Sequence, residues 1–549
     1  MSAAPVIDDV TDVAYWREHA ELAEARLGEA EERLVAAEAR ISELAEQVAV
    51  LSRMLFGRSS EKTRPALGQD GQAGESEGRG VRDAGDLGSR PPKRGQRPGS
   101  VGHGRRDYSH LDTREEIRDV PADQRVCHGC GVGFEPLGSE TCERIDWQVQ
   151  ITRIVHRRLR YRRRCSCSGP RTVTAPVVAA PVAKGRFTAG FLARLLFQKY
   201  VLGLPLHRIA RALAAEGLDV AEGTLSGALK AVAGLLAPLG EAIAARNAQA
   251  RHVHADETTW RVFERVEGKD GNRWWLWVFL AEDTVVFTMD PTRSTAVLER
   301  HFGIDRATGS LPAGRHLLLS TDFYTAYQSL ARVEGVDPLW CWAHIRRYFI
   351  RAGDAHDQLR HWRDQWVGRI ADLYVTHRGM AAAEVGSPEH AQAAGAFEAA
   401  LASIDTARRH QAAIYSLHPA AKKVLATLDR EWEGLARHRD FPDIDLDNNS
   451  AERALRTPVI GRKNHYGSHA EWAAHLAAQV WTITATAERN HHEPLAYLTG
   501  YLNACADAGS KAPEGQTLQP FLPWTPDPED TTGSRDHDPH PITQPGPSP

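Results

Sequence analysis

HLLLSTDFYTAY, residues 316–327, decides how the middle of this chain folds. Leu317, Leu318 and Leu319 read as a short buried strand, and Asp322 follows it directly. Upstream, VHADETTWRVFE (253–264), NRWWLWVFLAE (272–282) and VVFTMD (285–290) read as three consecutive strands. TAVLERHFG (295–303) reads as a helix, FYTAYQSLARV (323–333) as another, and PLWCWAH (338–344) as a final strand. That order suits a mixed sheet covered by helices. From Ile345 to about Arg439 the pattern is helical, with Trp362, Trp366, Leu373, Phe397, Leu401 and Leu425 at helical spacings. The DLDNNSAER run (445–453) ends this excursion, and Asn448, Asn449 and Ser450 offer capping side chains for a helix carrying Glu452.

Three acids therefore sit in three separate local contexts. Asp256 lies on the first strand, Asp322 ends a neighbouring one, and Glu452 opens a helix. Two strands and a helix can bring three carboxylates to one point, where they bind divalent metal and support attack on phosphate. This pattern points to a nuclease or a polynucleotidyl transferase. Taken singly, each acid reads equally as a capping or surface residue, and Glu257 and Asp447 compete for the assignment. Arg453, Arg456, Arg462 and Lys463 follow Glu452 and suit phosphates. His344, at the expected strand end, and the adjacent Arg346 and Arg347 suit phosphate contact or ordering of the site, a buried structural histidine being the alternative.

Composition narrows the class. With 549 residues there is room for several domains, and 42% hydrophobic content allows a core. The net charge of -4 does not mark a nucleic-acid binder, but its distribution does. Six basic residues and no acid lie between Ser89 and Arg106, and seven arginines and no acid between Arg153 and Arg164. Local patches matter more than the sum because phosphate contacts are short-ranged in salt. With no run of eighteen apolar residues, no membrane span is expected. No secretory signal is read either, so a cytoplasmic location is expected.

Leu27, Leu34, Ile41, Val48 and Leu55 recur every seven positions, with Ala30, Ala37, Leu44 and Leu51 three further on. That heptad seam predicts a leucine-zipper coiled coil within residues 1–62 and a homo-oligomer, a long helix packed within the chain being the alternative. Residues 63–107 read as a basic, disordered linker. Cys127 and Cys130 form a CxxC pair, and Cys165 and Cys167 a CxC pair after 34 intervening residues. Four thiolates in two close pairs predict a structural Zn²⁺ in a small zinc-finger module over 108–175. Arg157, Arg158 and Arg162, with Tyr161 among them, suit phosphate-backbone contact. Residues 185–245 hold a helical pair resembling a helix-turn-helix, or a plain core pair. Residues 511–549 read as a disordered tail.

These blocks together resemble the bacterial DDE transposases of insertion-sequence family sixty-six. The matching stretches are LFGRSSEK (55–62), RGQRPGSVGHGRR (94–106), CHGC with CSC, QKYVLGLPLHR (198–208), HADETTW, STDFYTAY, CWAHIRRYF (341–349), DNNSAERALRTPVIGRKNHYGS (447–468) and EPLAYLTGYL (493–502). The resemblance implies a multidomain α+β protein with an RNase H-like mixed α/β catalytic core. That core spans 246–349 and 446–470, is interrupted by a helical insertion at 350–445, and is followed by a helical segment at 471–510. It implies that Asp256, Asp322 and Glu452 are both the catalytic triad and the ligands of two Mg²⁺ ions, with Mn²⁺ as a substitute. It implies end cleavage and strand transfer on DNA, the partners being terminal inverted repeats, target DNA and small accessory proteins. The CxC pair and the polar VWTITATAERNHHEP stretch (480–494) depart from the family pattern. A catalytically silent DNA-binding regulator of transposition is the competing class, and a host nuclease of the same fold a third.

Overall fold

The computed structural model describes residues 150–165, 168–265, 267 and 269–525, with isolated positions between 113 and 145. The heptad seam, the basic linker, Cys127, Cys167 and residues 526–549 lie outside the described residues. Residues 58–148 form a unit separate from the body that begins at 149.

Two short strands, β1 (Arg160–Arg162) and β2 (Thr172–Thr174), pair antiparallel as a small ribbon. Helices α1 (Ala189–Leu196), α2 (Leu206–Ala215) and α3 (Glu222–Ala248) follow, α1 continuing into a π-helical turn at Phe197–Val201. The chain turns between α2 and α3 at Gly217, whose φ of +89° suits glycine. This is the pair expected to resemble a helix-turn-helix. The first turn of α3 is exposed, and beyond it one face is buried through Leu225, Leu229, Val232, Leu236, Leu239 and Ile243. By length and composition α3 could cross a bilayer, but that apolar row belongs to the hydrophobic core.

The sheet is built from β3 (His252–Arg261), β4 (Arg273–Leu280), β5 (Val285–Asp290), β6 (Leu317–Thr321) and β7 (Val336–Trp340), in the order β5-β4-β3-β6-β7. The first three form an antiparallel meander, whereas β6 and β7 run parallel to β3 and to each other. Helices α4 (Thr295–Phe302) and α5 (Thr325–Leu330) make the crossovers. Strand β6 is buried at all five positions, which is why its sequence is a leucine run rather than an alternation.

The final strand ends earlier than its sequence suggests. β7 stops at Trp340, and Cys341 is already the cap residue of helix α6 (Trp342–Ala355). His344 therefore lies in the first turn of a helix, not at a strand end. The aromatic spelling LWCW is compatible with both states; Trp342 is buried and donates from Nε1 to the Leu435 carbonyl at 2.9 Å, which fixes it in the helix. The excursion continues through α7 (Arg360–Ala382), α8 (Pro388–Ala412), α9 (Pro419–Arg430) and α10 (Trp432–Ala436). Trp362 and Trp366 of α7 both donate to the Gln411 side chain, at 2.8 and 3.0 Å, and Trp366 stacks on Phe349.

The chain then returns as α11 (Asn449–Ala454) and α12 (Arg456–His465), followed by α13 (Glu471–Arg489) and α14 (Pro494–Asp507). The last two read in sequence as one helical stretch; His491, at φ 65°, and Pro494 divide them. The polar spelling of α13 has a local cause. β5 is an edge strand, and α13 lies along it. Thr482 Oγ1 accepts from Phe287 N at 2.8 Å and Thr486 Oγ1 accepts from Val285 N at 3.0 Å. One helical turn spans two strand residues here, so two threonines satisfy two backbone donors that no strand reaches. Part of the stretch expected to be a disordered tail is folded. Leu518 and Leu522 are buried, and His492 Nε2 lies 2.9 Å from the Pro523 carbonyl oxygen, so residues through 525 belong to the fold.

Replacing Thr482 and Thr486 together by Val is expected to lower unfolding stability by roughly 2–4 kcal/mol, because two buried N–H groups lose their acceptors. Thr484 bonds only to the Val480 carbonyl within its own helix. Thr484→Val is therefore expected to stay within about 1 kcal/mol of the parent protein. Chemical denaturation of the two variants checks this.

Candidate active site

Strand register brings the first two acids together. His252 pairs with Leu318 and His254 with Ser320 across the parallel β3–β6 pair. The ladder ends there; Asp256 lies two residues further along β3, and Asp322 two residues further along the chain as it leaves β6. The charges of Asp322 and Glu452 both act on Asp256. Asp322 Oδ1 accepts from Tyr324 N at 2.9 Å, which fixes the turn where β6 gives way to α5.

Glu257 is the neighbour that sequence could not separate from Asp256. The pleat sends it to the other face. There Arg293 Nε donates to it at 2.6 Å and Tyr327 Oη donates to its other oxygen. Arg293 is itself held over the rings of Trp275 and Tyr324, 4.7 and 3.5 Å from their centroids. Glu257 is thus committed to the core side of the sheet, while Asp256 faces His254 and the returning chain.

The third acid arrives by an anchor. Asn448 is buried to 1% exposure and donates from Nδ2 to the Ala255 carbonyl at 2.8 Å. Its Oδ1 lies 3.0 Å from His254 Nδ1, and its backbone N–H donates to Cys341 Sγ at 3.2 Å. Asn448 therefore does not cap α11 with its side chain, as its position in DNNS suggests. Asp447 takes that part, accepting from Asn449 N at 3.0 Å. A buried amide can satisfy a histidine and a strand carbonyl at once only if it turns inward. Burial pushes the Asp447 carboxyl above its usual range, the Asn449 N–H opposing this, and burial likewise lowers His254.

Burial and the carboxylates of Glu257, Asp322 and Glu452 together push Asp256 up to about 8, although Glu257 N donates to it at 2.8 Å. Repulsion of this kind is what a bound cation relieves, and hard oxygen donors suit Mg²⁺ or Mn²⁺. Among the described residues, however, no three His, Cys, Asp or Glu groups stand ready to hold a metal. Glu452 is engaged elsewhere: Arg347 Nη2 donates to its Oε1 at 2.5 Å, and His344 Nε2 lies 3.8 Å from the same oxygen. His344 is lowered by burial and by Arg347, and its Nδ1 is buried without a partner.

The cations expected to meet phosphate divide into two groups. Arg346, Arg453, Arg456 and Lys463 are exposed, Arg453 with one bond to Ser450 Oγ at 2.9 Å. Arg157 and Arg162 are exposed on and beside the β1–β2 ribbon. By contrast, Arg462 donates to Thr258 Oγ1 at 3.1 Å and to the Thr259 carbonyl, bracing α12 on β3. Arg158 donates to the carbonyls of Ala175 and Pro176 at 2.8 and 3.1 Å, bracing the ribbon. Of the four candidate zinc ligands only Cys130 and Cys165 are described, both exposed and in separate units. Asn448, Arg293 and Tyr327 carry no sequence signal of their roles. Their partners lie 31 to 194 residues away, and no local pattern marks them.

Residues 184–476 match the model of the family described as Transposase IS66 family. Three proteins of Sinorhizobium fredii (strain NBRC 101917 / NGR234) are similar, each described as uncharacterized. Protein y4qI is 28% identical over 513 residues, covering 88% of this chain and 89% of its own length. Protein y4hP is 25% identical over 438 residues, 75% of each chain. Protein y4jD is 25% identical over 437 residues, 76% of this chain and 80% of its own.

The raised Asp256 carboxyl has a sign that can be measured. Its ionisation opposes folding, so stability is fully present below about pH 4 and is lost as pH rises towards and through about 8. Asp256→Asn is expected to melt at least about 2 °C higher than the parent protein at pH 9, the gap closing towards pH 4. Melting curves across that range, without divalent metal, check it. Asn448→Ala is expected to cost roughly 2–4 kcal/mol at any of these pH values, since it strips a strand carbonyl and a buried imidazole of their partner.

Proposed function

The chain belongs to the IS66 family of transposases, and from that premise we propose that it is a metal-dependent DNA phosphoryl transferase whose catalytic groups are Asp256, Asp322 and Glu452. The observation that supports this reading is that Asp322 and Glu452 both lie near enough to act on the Asp256 carboxyl, Asp322 following the strand that pairs with β3 and the Glu452 segment being tied to β3 by Asn448. The meander followed by two parallel strands, in the order β5-β4-β3-β6-β7, supports an RNase H-like core interrupted by the helices between Trp342 and Asp440.

Asp256 and Asp322 would hold one divalent ion between the strands, and Glu452 would complete the site from α11. Bound there, Mg²⁺ or Mn²⁺ would supply activated water or a 3′-hydroxyl and stabilise the departing oxygen of an in-line displacement. The protein's own part is placement. In this reading β3 and β6 would set the separation of Asp256 and Asp322 and Asn448 would set the approach of α11, while Arg293 and Tyr327 hold Glu257 on the other face. Arg453, Arg456 and Lys463, exposed on the two helices that carry and follow Glu452, would grip the backbone flanking the scissile phosphate. Arg157 and Arg162 of the ribbon region would add a second, sequence-independent hold. The Zn²⁺ module of Cys127, Cys130, Cys165 and Cys167, the zipper-mediated homo-oligomer and the accessory proteins belong to this reading as companions of the same activity.

The deciding experiment is nicking of a labelled duplex bearing the end of the flanking element, with Mg²⁺. Asp256→Ala, Asp322→Ala and Glu452→Ala are each expected to lower cleavage by roughly 10³-fold or more, the equivalent of losing several kcal/mol of charge stabilisation. Duplex binding in a gel-shift assay is expected to be retained. Cleavage by Asp322→Ala equal to that of the parent would overturn the assignment, and binding without cleavage by the parent would favour a regulator.

A further inference from the structure

Within the proposed triad, Glu452 stands apart because its carboxylate already has a cationic partner. Arg347 Nη2 donates to Glu452 Oε1 at 2.5 Å, and the two side chains are 39% and 33% exposed. They come from helices 105 residues apart in sequence. Three residues of α6 and its cap face the returning chain at helical spacing: Cys341 accepts from Asn448 N, His344 approaches Glu452, and Arg347 pairs with it. The Cys341 contact sets the register of α6 against the 447–452 segment, and Arg347, two turns on, meets Glu452 as a consequence. Asp256 also acts on the Arg347 guanidinium, so this one cation is within electrostatic reach of two of the three acids.

A carboxylate neutralised by a guanidinium is a poor ligand for a divalent cation, because the two cations repel at the shared oxygen. The guanidinium has five N–H donors, and this bond uses one. Its fork matches a phosphate, with which it forms charge-assisted pairs. The pair is open enough to solvent to exchange partners, and such half-exposed pairs are held by little free energy. We propose that Arg347 is a positioning residue that keeps Glu452 out of metal coordination until a DNA phosphate takes the guanidinium, so that metal loading of the site is coupled to DNA binding. This role rests on the assignment of Asp256, Asp322 and Glu452 as the metal-binding triad. Coupling is reciprocal: DNA tightens metal binding, and metal tightens DNA binding by the same factor.

The test is direct Mn²⁺ binding, followed by loss of the free-ion magnetic resonance signal, on the full chain with and without a pre-nicked end duplex. The parent protein is expected to bind Mn²⁺ on the order of tenfold more tightly with the duplex than without it. Arg347→Gln is expected to bind Mn²⁺ without DNA as tightly as the parent does with it, and the duplex is expected to add little. Arg347→Lys keeps the charge but loses the fork, and is expected to retain weak binding without DNA and a reduced response to the duplex. Equal Mn²⁺ affinity and an equal duplex effect in the parent and both variants would overturn the role of Arg347 and leave the triad standing. Mn²⁺ binding in the presence of the duplex that Asp256→Asn and Glu452→Gln leave unchanged would instead remove the triad beneath it.

Discussion

One buried amide holds the candidate site together. Asn448 ties the chain that carries Glu452 to the strand that carries Asp256, across 193 residues of sequence. Its side-chain amide and its backbone N–H are all used, on β3, on His254 and on Cys341. Because the side chain is buried, each of those bonds is worth more than it would be in water, and losing the residue strands several partners at once. The helical excursion between Trp342 and Asp440 can vary in length and path without moving Glu452, provided that its two ends meet at this residue. The excursion leaves the sheet at Cys341 and returns at Leu446, whose carbonyl accepts from Trp342 N at 2.9 Å. The insertion is closed at its base by residues adjacent to the anchor itself.

The same geometry separates two carboxylates that are neighbours in sequence. Asp256 and Glu257 differ by one residue and therefore by one face of the sheet. On one side the acid meets an arginine and a tyrosine and becomes part of the packing. On the other, burial and the neighbouring carboxylates hold its proton more tightly than normal. The pleat alone thus gives adjacent residues different surroundings.

The strands were legible because their signals are local. The leucine run of β6, the alternation of β3 and the tryptophan-rich β4 each carry their own pattern, and Asp322 is marked by the strand it ends. The end of β7 was not legible, since LWCW suits a strand or a helix start and the choice is made by Trp342 reaching Leu435. Asn448 looked like a helix cap because DNNS has the composition of one; its actual partners are distant. The pairing of Arg347 with Glu452, 105 residues away, was likewise not legible. Long-range pairing leaves no periodicity to read.

The threonines of α13 have a consequence for how copies of this protein can meet. Thr482 and Thr486 occupy backbone donors along the outer side of β5, and on the opposite side of the sheet His438 Nε2 lies 3.1 Å from the Trp340 carbonyl oxygen of β7, with α10 packed beside it. Both margins of the sheet are thereby furnished with side-chain partners from helices. An unpaired margin is a template on which another chain can grow by adding a strand. Here that route is obstructed at each border, so assembly through this body must be written in side chains, whose shape and charge discriminate between partners, rather than in the indiscriminate grammar of the peptide backbone.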